Sequence, residues 1–162
     1  MLLAVISDTH MPRGSRRLPD ECLRLLAESD LILHAGDVVA ASVLEELREL
    51  APVHAVHGNM DEPALKAALP ETRVVEVEGA RIGMIHEPGA AAGRAERLAA
   101  RFPDCLAVVY GHTHLPEVTR HGSVWILNPG SPTERRRAPA RTMIVLDVED
   151  ARLKPPRLVE LT

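Results

Sequence analysis

Seven polar residues between positions 8 and 114 share one local setting. Each stands at or just past the end of a short apolar run. They are Asp8 and His10 in Ser7-Asp8-Thr9-His10, Asp37 after Gly36, Asn59 after Gly58, His86 after Ile85, and His112 and His114 in Gly111-His112-Thr113-His114. A short continuous apolar run bounded by turn residues reads as a strand buried on both faces. In open sheets covered by helices, ligand sites lie beyond the carboxyl ends of the strands. The pattern therefore requires a fold that brings five strand ends to one edge.

The rest of the chain is consistent with that requirement. Leu2–Ile6 reads as the first strand, and apolar spacing predicts a helix over Leu18–Glu28. A strand at Leu31–Leu33 follows, then a helix capped by Ser42 and running to about Leu50. A strand at Val53–Val56 and a short helix at Pro63–Leu69 complete an alternation that implies parallel strands. Thr72–Val77 and Arg81–His86 flank Glu78-Gly79-Ala80 as a hairpin, and a helix over Gly93–Arg101 stops before Pro103. Leu106–Tyr110 is a strand, Val118–Arg120 and Val124–Leu127 form a second hairpin, and strands at Thr142–Val148 and Arg152–Leu161 end the chain. The later part thus reads as hairpin-rich. The expected fold class is α/β (α+β): a two-sheet mixed β-sandwich flanked by helices, as a single domain over residues 1–162.

Composition narrows the function. Hydrophobic residues make up 46% of the 162 residues but aromatic ones only 2%. A Leu, Val, Ile and Ala core is therefore expected, and stacking platforms for single-stranded nucleic acid are not. A net charge of -4 counts against general nucleic-acid binding. Cys22 and Cys105 lie in separate apolar stretches and read as reduced core thiols. There is no basic leader and no apolar run of about 18 residues, so a soluble cytoplasmic enzyme without a membrane segment is expected.

Carboxylate, amide oxygen and imidazole together suit Mn²⁺, Zn²⁺, Fe or Ni²⁺ better than Ca²⁺ or a thiolate-preferring metal. Seven such donors suffice for two ions sharing one carboxylate. Asp37 has two oxygens with which to bridge, and a water held between ions roughly 3.5–4 Å apart is acidified to a hydroxide nucleophile. Gly36, Gly58 and Gly111 precede proposed ligands, where glycine permits close backbone approach.

On these motifs, and on the late turn Asn128-Pro129-Gly130-Ser131, the chain resembles the calcineurin-like metallophosphoesterase superfamily, in its small YfcE-like phosphodiesterase branch. The resemblance runs from Asp8 through Ser131. It implies a four-layer sandwich in which Asp8, His10 and His114 hold one metal, Asn59, His86 and His112 hold the other, and Asp37 bridges. It implies a divalent-metal-dependent phosphodiesterase acting on a small phosphoester. Manganese is the expected metal, with nickel, iron or zinc as alternatives, and a homo-oligomer is a possible state, since relatives often assemble.

Three neighbours depart from the family pattern. Met60 stands where many relatives have His, His57 where Arg is expected, and Glu87 where Gly is usual. His57 and Asp61 are the candidate catalytic side chains beside the metals. His57 reads either as a strand-end residue satisfied by backbone or as a basic phosphate contact. His34 reads as a core histidine or one supporting the ligands, not as a ligand itself, and His54 and His121 as surface histidines. Arg13, Arg16, Arg17, Arg135, Arg136 and Arg137 read either as solvated loops or as a basic rim that attracts anions. Two divalent ions, offset by two aspartates and one hydroxide, leave a single formal positive charge, which complements a phosphodiester monoanion. Diesters with good leaving groups are therefore expected. The alternatives are a phosphomonoesterase or nucleotidase of the same fold, and a non-catalytic protein-binding scaffold such as the retromer subunit that shares it. A scaffold would be expected to lose ligands, and this chain retains all seven.

Overall fold

The apolar run Leu2–Ile6 forms strand β1, and its alternate residues enter two different cores. In the computed structural model, which describes residues 1–162, helix α1 (Asp20–Ala27), β2 (Leu31–His34), α2 (Ala41–Leu50), β3 (Val53–Ala55) and α3 (Pro63–Ala68) follow. Then come β4 (Thr72–Val77), β5 (Ala80–Ile85), α4 (Arg94–Arg101), β6 (Ala107–Tyr110), β7 (Glu117–His121) and β8 (Val124–Asn128). The chain closes with β9 (Arg141–Glu149), β10 (Arg152–Leu153) and β11 (Arg157–Leu161).

Two sheets result. One has the order β10-β9-β1-β2-β3, with β11 also pairing β9, and the other the order β4-β5-β6-β8-β7. Strand side chains alternate between faces, so each sheet carries two apolar surfaces. Leu3, Val5, Leu33, Ile144 and Leu146 of the first sheet meet Val75, Ile82, Met84, Val109 and Leu127 of the second. Ala4, Ile6, Ile32 and Val145, on the opposite face, pack against Cys22 and Leu26 of α1, Leu44 and Leu47 of α2, and Leu65 of α3. Val108, Tyr110 and Ile126 pack outward against Leu98 of α4, with Phe102 and Cys105. The order is helices, sheet, sheet, helix, which is the expected four-layer sandwich. Both cysteines are buried and unpaired. No helix is long and apolar enough to cross a membrane.

Three local expectations are corrected. Ser42 does not cap α2; its N-terminus is met by Glu62, whose Oε1 accepts from Ala41 N at 2.8 Å, a cap delivered from 21 residues away. The final stretch Arg152–Leu161 is two strands, because Pro155 and Pro156 interrupt the ladder between them. The second half is hairpin-rich only at its margins: β5, β6 and β8 run parallel at the centre of their sheet. That arrangement aligns the carboxyl ends of β5 and β6, each of which leads directly into ligand residues.

Candidate metal centre

All seven ligand candidates converge where β1, β2, β5 and β6 end, together with the loop after β3. The loops that carry them turn sharply. Asp8, His10, Asp37, His112 and His114 all adopt left-handed backbone, with φ of 55°, 47°, 59°, 73° and 60°. Such conformations cost roughly 1 kcal/mol or more apiece for a residue with a side chain and cluster at functional sites. Cross-loop backbone bonds hold them: Asp8 N donates to Gly36 O at 2.9 Å and His10 N to Asp37 O at 3.1 Å.

Asp8 is fully buried. Its Oδ2 accepts from Ser7 Oγ at 2.7 Å and from His112 N at 3.0 Å. Its Oδ1 has no hydrogen-bond partner and faces His114 Nε2 at 3.3 Å, with His10 Nε2 and His86 Nε2 each at 3.8 Å. Asp37 Oδ1 accepts from Met60 N at 2.8 Å, which frees Oδ2 to stand between His86 Nε2 at 3.2 Å and His10 Nε2 at 3.5 Å. Asn59 Oδ1 lies 3.2 Å from His86 Nε2 and 3.3 Å from His112 Nδ1. The donor atoms of Asp8, His10 and His114 lie within 4.8 Å of one another, as do those of Asp8, Asp37 and His86. Asp8 thus belongs to both groups, and Asp37 reaches a histidine of each.

This donor set fits divalent ions. Asp8 Oδ1 and His10 Nε2 are buried polar atoms with no protein partner, which is costly unless something else satisfies them. His86 Nδ1 donates to Ala35 O at 2.7 Å, so its Nε2 presents a lone pair to the cluster. His114 Nδ1 sits 3.3 Å from Glu134 Oε1, leaving its Nε2 on the ligand side. Without metal, the cluster holds protons instead. Burial pulls the His86 imidazole down, but Asp37 and Asp8 outweigh it and hold the group up at about 9. Burial pushes Asp8 up, and the facing histidines outweigh that too, holding its carboxyl well below the usual range.

The neighbours sort differently. Asp61 is not placed as a catalytic side chain. Its Oδ2 accepts from Gly58 N at 2.7 Å and Asp37 N at 3.1 Å, and its Oδ1 from Val39 N at 2.6 Å. Both oxygens are taken by backbone amides, so Asp61 ties the Asp37 loop to the Gly58 turn from behind. His57 is half-buried and lines a cavity of about 280 Å³ beside Asn59 and His86, with Lys66, Glu71 and Glu87. Met60 serves the site through its amide, which any residue except proline supplies, while its side chain lines the cleft over the ligands. His34 is fully buried. Gly36 N donates to its Nδ1 at 3.2 Å, and its Nε2 donates to Thr9 Oγ1 at 3.1 Å. Burial holds that imidazole down at about 4, in the neutral form both bonds require.

Sequence reading missed three supports. Glu134 behind His114 had no local signal. Asp61 had one, an aspartate three residues after Gly58, a spacing at which a side chain can bond back to the backbone. The Asn128-Pro129-Gly130-Ser131 turn proves to be a clamp. Asn128 Nδ2 donates to Thr113 Oγ1 at 2.9 Å, between the two late histidines, and Ser131 Oγ donates to Asp8 O at 2.8 Å.

A calcineurin-like phosphoesterase superfamily domain matches residues 1–151. The chain is 36% identical to a probable metallophosphoesterase of Methanothermobacter thermautotrophicus, over 96% of this chain and 95% of that one. It is 37% identical to a probable metallophosphoesterase of Methanocaldococcus jannaschii, over 93% and 77%. Among solved structures, Vps29 of Entamoeba histolytica complexed with zinc superposes with a TM-score of 0.79 at 26% identity, covering 99% of each chain. The match over nearly the whole length, and the gathering of all seven ligand candidates at one edge, lead to a single conclusion: this chain belongs to the calcineurin-like phosphoesterase superfamily.

Proposed function

We propose that the chain is a phosphodiesterase that works with two divalent ions, manganese first among them. The observation that carries this reading is Asp37 Oδ2 standing between His86 Nε2 and His10 Nε2, at 3.2 and 3.5 Å. One carboxylate oxygen there serves two ligand groups. Asp8, His10 and His114 would hold one ion, and Asn59, His86 and His112 the other. When bound, such ions acidify a water and offset charge on phosphoryl oxygens.

The chain's own residues do the rest. Ala35 O aims His86 through a hydrogen bond, Glu134 places a carboxylate 3.3 Å behind His114 Nδ1, and Asp61 fixes the Asp37 loop against the Gly58 turn. His57 and Lys66 line the cavity beside Asn59, where their N–H groups are placed to donate to a substrate's oxygens. In hydrolysis the water gives up a proton to solvent, its oxygen ends on phosphorus, the P–O ester bond breaks, and the leaving oxygen departs as an anion. Met60 carries no proton to give, so esters with good leaving groups are favoured.

The test is reconstitution of metal-free protein with Mn²⁺, Ni²⁺, Fe²⁺ or Zn²⁺, followed by assay on bis(p-nitrophenyl) phosphate and on p-nitrophenyl phosphate. Two equivalents of metal and faster turnover of the diester support the proposal. One equivalent, or faster turnover of the monoester, overturns that part of it. The likeness to a vacuolar protein sorting chain favours a second reading, a non-catalytic scaffold. Bound metal with no turnover of either ester would select it.

A further inference from the structure

The cleft over the ligands, a cavity of about 190 Å³, is walled on one side by Arg13, Arg16 and Arg136. Of the six arginines in the two sequence clusters, the fold selects these three. Arg17 turns into a separate depression beside Asp20 and Arg141. Arg135 donates to Pro139 O, and Arg137 does not line the cleft.

One carboxylate ties these arginines to the ligand cluster. Arg16 Nε and Nη2 donate to Glu134 Oε2 at 3.0 and 2.6 Å. Arg136 Nε stands 3.2 Å from Glu134 Oε1, the same oxygen that lies 3.3 Å from His114 Nδ1. Arg13 is exposed, and its side chain forms no ion pair. Three guanidiniums against Glu134 leave two formal positive charges on this wall, with Asp37 of the same cleft counted among the metal ligands. Glu134 stands between His114 and the guanidiniums that bind it. Arg16 and Arg136 thus reach the cluster through Glu134, on the Nδ1 side of His114 and away from its ligand-side Nε2, which sets them beside the phosphoryl group under attack, toward the rest of a substrate.

We propose that this arginine wall is a subsite for a second phosphate, and that the substrate is a phosphodiester bearing a further, terminal phosphate. The proposal rests on the phosphodiesterase reading above. A terminal phosphate carries a charge of about -1.5 to -2 at neutral pH, which matches the surplus. A carboxylate would balance only half of it. Planar guanidinium forks also fit phosphate oxygens two at a time. The second phosphate is bound and not transferred; the only bond broken is the diester P–O bond.

The experiment compares two chromogenic probes on Mn²⁺-loaded protein. One is the p-nitrophenyl ester of thymidine monophosphate; the other is the same ester with a second phosphate on the remaining sugar hydroxyl. The expected result is kcat/KM about 10-fold or more higher for the doubly phosphorylated probe, mainly through KM. Arg13→Gln with Arg136→Gln slows the doubly phosphorylated probe and collapses that ratio toward unity, while the singly phosphorylated probe stays within about 2-fold of wild type. Arg17→Gln with Arg137→Gln removes equal charge outside the cleft and keeps the ratio. In parallel, calorimetry on metal-free protein measures binding of thymidine bisphosphate, which the cleft pair weakens about 10-fold and the outer pair does not.

No preference in the wild type, or equal loss of preference in both variant pairs, overturns the subsite. So does p-nitrophenyl phosphate proving the best substrate with the same arginine dependence, because the arginines then serve the phosphoryl group under attack. Bisphosphate binding without arginine dependence overturns it whatever hydrolysis shows. If neither probe is hydrolysed yet bisphosphate binding depends on Arg13 and Arg136, the phosphodiesterase reading fails and the subsite stands.

Discussion

Replacing Asp61 by alanine will unfold the centre from behind before it touches any chemistry. The carboxylate accepts three backbone N–H groups: Gly58 at 2.7 Å and Asp37 at 3.1 Å on Oδ2, and Val39 at 2.6 Å on Oδ1. Gly58, Asp37 and Asp61 are all buried. Each orphaned buried donor costs about 1–3 kcal/mol, and bonds to a charged acceptor lie at the upper end. The three donors share one acceptor and relax together, so their costs do not simply add. A loss of about 4 kcal/mol is expected, which for a domain of this size lowers Tm by roughly 10 °C. Asp61→Asn keeps one accepting oxygen and loses about half as much. The same amides position Asp37, so Mn²⁺ affinity falls about 10- to 100-fold in Asp61→Ala. Urea unfolding of metal-free protein and calorimetric Mn²⁺ titration read the two effects. If Asp61→Ala keeps stability within about 1 kcal/mol and binds metal normally, yet loses kcat about 100-fold, Asp61 acts directly on substrate and the brace is refuted.

Three further outcomes follow from the geometry. A Cβ on Gly58 would overlap Asp37 Oδ1 and lie 2.6 Å from Asp37 N, so Gly58→Ala displaces the shared carboxylate; Mn²⁺ affinity is expected to fall about 10-fold or more, with about 1–3 kcal/mol of stability lost, by the same two assays. Metal added at about 100 times its Kd stabilises the fold by about 2.7 kcal/mol, so a chelator should lower Tm by about 5–10 °C in a thermal scan. His34 titrates at about 4 in the fold against 6.5 for a free imidazole. Between those values the unfolded chain binds the extra proton, so stability rises with pH there. The contribution is fully present above 6.5 and lost as pH falls to 4, about 3 kcal/mol in all. Urea midpoints of metal-free wild type and His34→Gln across that window check this: the variant should show the smaller loss, and parallel curves would exclude His34.

The order of strands and helices was legible because each apolar run and each turn signal is local. Leu2–Ile6 reads as a doubly buried strand from five residues, and the structure agrees. The cap on α2 was not legible, because Glu62 arrives from 21 residues away and no pattern near Ser42 announces it. The parallel pairing of β5, β6 and β8 was masked by the hairpins at either side, which signal themselves through their turns. Among the candidate residues, ligand types could be read from chemistry and position. Asp61 carried a spacing after Gly58 suited to bonding back to the backbone, but that spacing alone does not separate a brace from a ligand, since the distinction depends on which way its oxygens point.

By itself, the sequence determined which donors exist and that they sit at strand ends. Residue type sets what an atom can bind, and the strand period sets where a run stops. Only the tertiary structure decided which donors share an oxygen's reach, that five of the seven sit on left-handed backbone, and that Glu134 joins His114 to Arg16 and Arg136. Those relations depend on loops from different strands meeting at distances near 3 Å, and such meetings leave no trace in local pattern.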